Sequence, residues 1–178
     1  MDETIVKEAL SYSLGSDLHE AWRAPRKLED GTYEPRIKKS KDEVWNESHQ
    51  TNEVDIANCS FEELPSDWQY ENLEAAKVAI NEVYDKVVAG EEITPEDLEQ
   101  IASIIHEEWL KRNDWVYDEQ YGDPSLAVPY EELSKEEQDK DKAQIGPAIE
   151  KVQDYVNGLI NVEDICEQYG LHAHGKEL

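Results

Sequence analysis

The sequence predicts a mainly α-helical fold built from two tandem helix–loop–helix units packed together, with long irregular loops and a small β-hairpin in the first. Three observations predict it. Apolar residues recur at helical spacing along most of the chain. Turn-forming residues gather in two stretches, 23–59 and 113–133. The chain also repeats itself. Leu18-His19-Glu20-Ala21-Trp22 returns as Ile105-His106-Glu107-Glu108-Trp109. Phe61-Glu62-Glu63-Leu64 returns as Tyr130-Glu131-Glu132-Leu133. A repeat of this length changes the unit that has to be explained.

The elements follow in order. Val6, Leu10, Leu14, Leu18 and Trp22 stand four residues apart, which predicts a helix over 2–22, with Gly15-Ser16-Asp17 as a candidate interruption. Asp30-Gly31 and Arg36-Ile37-Lys38 predict a hairpin within the loop 23–59. Pro65-Ser66-Asp67 opens a helix whose apolar face is Leu73, Ala76, Ile80, Val83 and Val87, and Gly90 ends it. Thr94 caps the next helix, with Pro95 in its first turn. Ser134-Lys135-Glu136-Glu137 fits a capping box, and Gly146-Pro147 should break the helix it opens. A short helix from Asn161 to Gly170 closes the fold. The resulting division is 1–90, carrying a basic insertion at 23–59, then 91–170, then a flexible tail at 171–178. The first loop, His19 to Phe61, exceeds the second, His106 to Tyr130, by about 18 residues.

Hydrophobic residues make up 38% of the chain and are spread along it, which argues for a folded protein although 34% of residues are charged. The net charge of −26 should repel nucleic acid and anionic membranes, so neither direct nucleic-acid binding nor membrane association is expected. No apolar run approaches the roughly 20 residues that span a bilayer. Two cysteines, Cys59 and Cys166, form no framework, and no secretory pattern precedes them, so a cytoplasmic location is expected. The acidic surface has two readings: plain solubility, or a deliberate mimic of nucleic acid. Against it stands one basic segment, with Arg23, Arg26, Lys27, Arg36, Lys38, Lys39 and Lys41. That segment is either a counter-charge for neighbouring acidic helices or a site for an anion.

Residues 95–160 carry a family likeness. A helix ending His106-Glu107-Glu108-Trp109, an aromatic loop, and then Val128-Pro129-Tyr130-Glu131-Glu132-Leu133 running into an acidic, lysine-rich helix start resemble the ryanodine-receptor repeat, the RyR domain. The first unit keeps His19-Glu20-Ala21-Trp22 and Phe61-Glu62-Glu63-Leu64-Pro65, with Phe for Tyr and a long insertion. The resemblance implies a small helical module that pairs with a second copy. Such repeats are peripheral elements in calcium-release channels, and stand-alone versions occur in bacteria and phages. It implies ligand or partner binding, and no channel activity.

The candidate residues follow from these patterns. His19 and His106 each precede a tryptophan by three residues, so ring and indole share a helix face. Both histidines and Trp109 are read as structural to the repeat, the imidazoles bonding loop carbonyls. Trp22 and Trp109 are expected in the core, where truncation costs about 3–5 kcal/mol. Trp22, Arg23 and Arg26 in one unit, with Trp115, Tyr117 and Tyr130 in the other, are the candidate ligand contacts. A flat aromatic beside a cation can hold a planar anionic ligand. Trp115, Tyr117 and Tyr121 are otherwise buried under their loop, and Tyr130 should plug the space between its two helices. There is no nucleophile elbow, phosphate-binding glycine loop or calcium-loop spacing, and His172-x-His174 alone is no zinc site. No catalytic residue, metal or cofactor is therefore expected. The function implied is a non-catalytic binding module taking a small anionic ligand or a protein partner. The alternative is an acidic, phage-type inhibitor that occupies a nucleic-acid-binding protein.

Overall fold

The computed structural model describes residues 2–171 and is mainly helical with one small two-stranded sheet. Helix α1 (Glu3–Arg23) runs unbroken from its Asp2 cap. Gly15 does not interrupt it. It is buried where α1 crosses a second helix, and a Cβ there would stand 3.5 Å from the Asn72 carbonyl oxygen. The glycine therefore serves close packing between helices rather than termination.

The insertion contains more order than its composition suggests. Asp30-Gly31 does make a tight turn, with Gly31 at φ 89° and the Asp30 carboxylate accepting from the Thr32 amide at 2.9 Å. That turn closes only a single bridge, between Lys27 and Tyr33. The sheet lies elsewhere: β1 (Ile37–Lys39) pairs antiparallel with β2 (Glu53–Asp55), Ile37 opposite Asp55. Between the strands sits a short helix, α2 (Glu43–His49), capped by Asp42. Ser40, Lys41 and Trp68 tie the insertion to the start of α3 (Ser66–Val88). The Ser40 hydroxyl and Lys41 amide donate to Asp67 at 2.9 and 2.8 Å, and the Trp68 indole donates to the Lys39 carbonyl at 3.1 Å.

Helix α4 (Pro95–Arg112) begins with the capping box of Thr94 and Asp97. The Asp97 carboxyl is pulled down to about 2, first by the Thr94 amide and then by the Lys86 ammonium. After an irregular segment come α5 (Lys135–Lys142), α6 (Ile145–Val156) and α7 (Val162–Tyr169). The break between α5 and α6 falls at Ala143 and Gln144, four and three residues ahead of Pro147, because the proline ring collides with the carbonyl one turn earlier.

Helix α3 is central, packed against α1 on one side and α6 on the other. Leu10 and Leu14 of α1, Ile80 and Val83 of α3, and Ile145 and Val152 of α6 are fully buried in one cluster. Burial of this apolar surface, worth about 25 cal/mol per Å², is what holds so acidic a chain together. Leu171, expected to begin a loose tail, belongs to this core instead, its amide bonding the Cys166 carbonyl at 2.8 Å past left-handed Gly170. The His172 and His174 pair and Gly175 to Leu178 lie outside the described residues. Among the described residues no helix is long and apolar enough to cross a membrane.

Candidate functional site

The two repeated segments adopt the same local geometry. His19 Nε2 donates to the Cys59 carbonyl at 2.8 Å, and His106 Nε2 donates to the Val128 carbonyl at 2.7 Å. Each accepting residue stands two places before the aromatic, Phe61 or Tyr130, of a short 3-10 turn. Each imidazole stacks on the tryptophan three residues later, with ring centroids 5.8 and 6.1 Å apart. A glutamine in the following helix bonds back to the aromatic residue's carbonyl: Gln69 to Phe61 at 3.0 Å, Gln138 to Tyr130 at 2.9 Å. The histidines thus pin irregular backbone that would otherwise leave polar groups unpaired. Burial lowers the His19 pKa, which keeps the ring neutral and its Nε2–H available to the loop.

Neither repeat tryptophan is a core residue. Trp22 is 36% exposed and Trp109 half-buried, and both face a cleft of about 430 Å³. The cleft lies where the end of α1, the insertion, the start of α3 and the end of α4 meet. Three indoles line it, those of Trp22, Trp68 and Trp109. So do four cations: Arg26, Arg36, Lys38 and Arg112. Arg112 is already committed, its Nε donating to both oxygens of Glu71 at 3.1 and 3.2 Å and so joining the end of α4 to α3. Arg26, Arg36 and Lys38 make no carboxylate pair among the described residues. Arg26 instead lies 4.4 Å over the Trp22 ring, and Lys38 6.0 Å from the Trp68 ring. A cation held over an indole is only partly satisfied, so it keeps donors for an incoming anion.

The other candidate contacts are placed differently. Arg23 is 8% exposed and wholly engaged within the fold. Its Nε donates to the Ala57 carbonyl at 2.8 Å, its Nη1 donates to Glu20 at 2.8 and 2.9 Å, and its guanidinium stacks 4.1 Å from the Tyr33 ring. It is a structural clamp on the insertion and not a ligand contact. Position decides this: Arg23 is the last residue of α1 and reaches into the insertion, whereas Arg26 lies in the 3-10 turn that follows, over the Trp22 ring. We expect Arg23→Ala to destabilise the protein by about 1–3 kcal/mol, since it strands a buried carbonyl, and Arg26→Ala to change stability by less than about 0.5 kcal/mol. Urea denaturation of the two variants checks this, and equal small effects would remove the clamp.

Trp115 and Tyr117 are 49% and 58% exposed and do not reach the cleft. Trp115 stands edge-on to Trp109 with centroids 6.2 Å apart. Beyond them the loop turns tightly at Gly122, where a Cβ would come within 2.3 Å of the Asp118 and Val116 carbonyl oxygens. Tyr130 is buried between α4 and the following segment, its hydroxyl donating to Glu99 at 3.2 Å, and it too lies away from the cleft. The cleft residues that sequence reasoning did not single out are Trp68 and Arg112, while Arg36 and Lys38 belong to the basic segment read as a counter-charge or an anion site. One signal was available: Trp68, Asn72 and Ala75 fall on one face of α3. The convergence of the cations is a matter of tertiary folding.

No group of three metal-ligating side chains occurs among the described residues. Against known proteins, no family model matches the chain and no curated protein matches it.

Proposed function

We propose that the protein is a non-catalytic binding module of the RyR-repeat type, whose ligand is a small, planar, anionic molecule held in the cleft between the two units. One observation carries the reading. In a chain of net charge −26, three indoles and three cations without carboxylate partners among the described residues converge on a single cavity of about 430 Å³. Indoles supply flat apolar walls for an aromatic ring, and the guanidinium and ammonium groups supply donors for its phosphate or carboxylate. A volume of this size falls within the range of small-molecule sites. The likeness to the RyR repeat, carried by His19 and Trp22 and by His106 and Trp109, supports the pairing of two units around it.

The test is a thermal-shift titration with AMP, cyclic AMP and NAD as probes, followed by calorimetry. A ligand at a hundredfold excess over its dissociation constant should add about 2.7 kcal/mol of stability. Trp68→Ala and Arg36→Ala should abolish the shift while leaving the unliganded protein folded. Absence of any saturable shift with all three probes up to millimolar concentration would overturn the small-anion reading in favour of a protein partner.

A further inference from the structure

The cleft has a counterpart in the second unit. The conserved local geometry sets His106 and Trp109 in the places of His19 and Trp22, and these two residues also line a separate cavity of about 210 Å³ between α4 and α5. Three lining positions differ in chemistry. Glu137 stands where the first unit has Trp68, Asp141 where it has Asn72, and Gln144 where it has Ala75. Aromatic and neutral lining has been exchanged for acceptors.

The acceptors have too little to accept. His106 is 3% exposed, and its Nε2–H is committed to the Val128 carbonyl, so in the tautomer that this bond requires Nδ1 is an acceptor without a hydrogen. It faces Asp141 Oδ2 at 3.8 Å, beyond hydrogen-bond reach. The Gln144 Oε1 atom is buried with no hydrogen-bond partner among the described residues. Buried acceptors left in this way are costly, and native structures keep few of them without a reason. Lys140, the cation on the cavity wall, is held by Glu137 at 3.0 Å. Burial, with a further push from Glu137, raises the Asp141 carboxyl to about 6 against the opposing pull of His106. The Trp109 indole forms part of the same lining.

We propose that this second cavity binds a small organic cation, a primary ammonium or guanidinium group, which donates to Asp141, Gln144 Oε1 and His106 Nδ1 beside the Trp109 indole. Every protein group named there is an acceptor or a π surface, so the complement is a compact multiple donor carrying positive charge. The acidic surface around it raises the local concentration of such cations. The two units have then kept one scaffold and inverted the polarity of the site it frames.

The proposal is tested by NMR on the labelled full chain at pH 7.5, following the His106 and Trp109 ring signals. The probes are propylammonium and methylguanidinium chloride, with tetramethylammonium chloride at matched ionic strength as a cation that cannot donate. We expect saturable shifts with at least one donor probe, none with tetramethylammonium, and at least tenfold weaker binding in Asp141→Asn. Gln144→Leu, which removes the orphan acceptor without touching charge, should also weaken binding. Linear shifts equal to those of tetramethylammonium, or saturable binding unchanged in both variants, would overturn the proposal.

Discussion

Phe61→Ala is expected to destabilise the protein by about 3–5 kcal/mol, the range for removing a fully buried aromatic ring. Phe61 is 1% exposed, sits in the 3-10 turn that packs on α1, and meets the Tyr169 ring edge-on at 6.2 Å and 79°. Its carbonyl also accepts from Gln69, and the His19 to Cys59 bond is formed two residues before it. Truncation therefore removes the plug that seats the base of the insertion against the first helix. Urea denaturation should show a lower midpoint with an unchanged slope. A loss below about 1 kcal/mol would mean that this turn lies outside the cooperative core.

Asp141→Asn should act in the opposite direction and stabilise the protein at neutral pH. The folded carboxyl sits at about 6, above its ordinary 3.8, because burial disfavours its charge. The folded protein thus holds a proton that the unfolded chain releases between those two values. Stability from this group is complete below about pH 4 and is lost as pH rises toward about 6, staying lost above it. Displacement of this size corresponds to roughly 3 kcal/mol, so the amide variant should gain about 2–3 kcal/mol at pH 7.5 and almost nothing at pH 4. Denaturation curves at the two pH values read the difference directly. An equal effect at both would show that the carboxylate is not desolvated by folding. A side chain whose removal stabilises the fold is the expected mark of a residue retained for binding.

The parts of this fold that could be read from sequence are those with local signals. Thr94 and Pro95 open α4, Ser66 opens α3, and Asn161 and Gly170 bracket α7, because caps and left-handed terminators act within one turn. The pairing of β1 with β2 was not readable, since the partner of Ile37 is Asp55, on the far side of a helix. Strand β2 buries only Val54 and offers no alternation long enough to notice. The site shows the same division. The recurring histidine and tryptophan share a helix face because their spacing is a helical turn, and they line the two cavities. Where an aromatic ends up depends on the tertiary fold: Trp115 and Tyr117 are exposed and apart from the cleft, while Trp68, in the first turn of α3, joins it. Arg23 and Arg26 are alike in composition but opposite in fate, because the first ends α1 and the second lies in the 3-10 turn beyond it.

Trp109 belongs to both cavities at once. An indole shared between two sites makes their occupancies a single thermodynamic problem. If its orientation differs between the occupied forms, the first ligand changes the affinity for the second by some factor, and the second must change the first by that same factor. Reciprocity of this kind requires no moving domain and no long-range path, only one side chain with two neighbours. A fold that leaves one residue on the wall between two cavities therefore acquires the means of cooperation between unlike ligands.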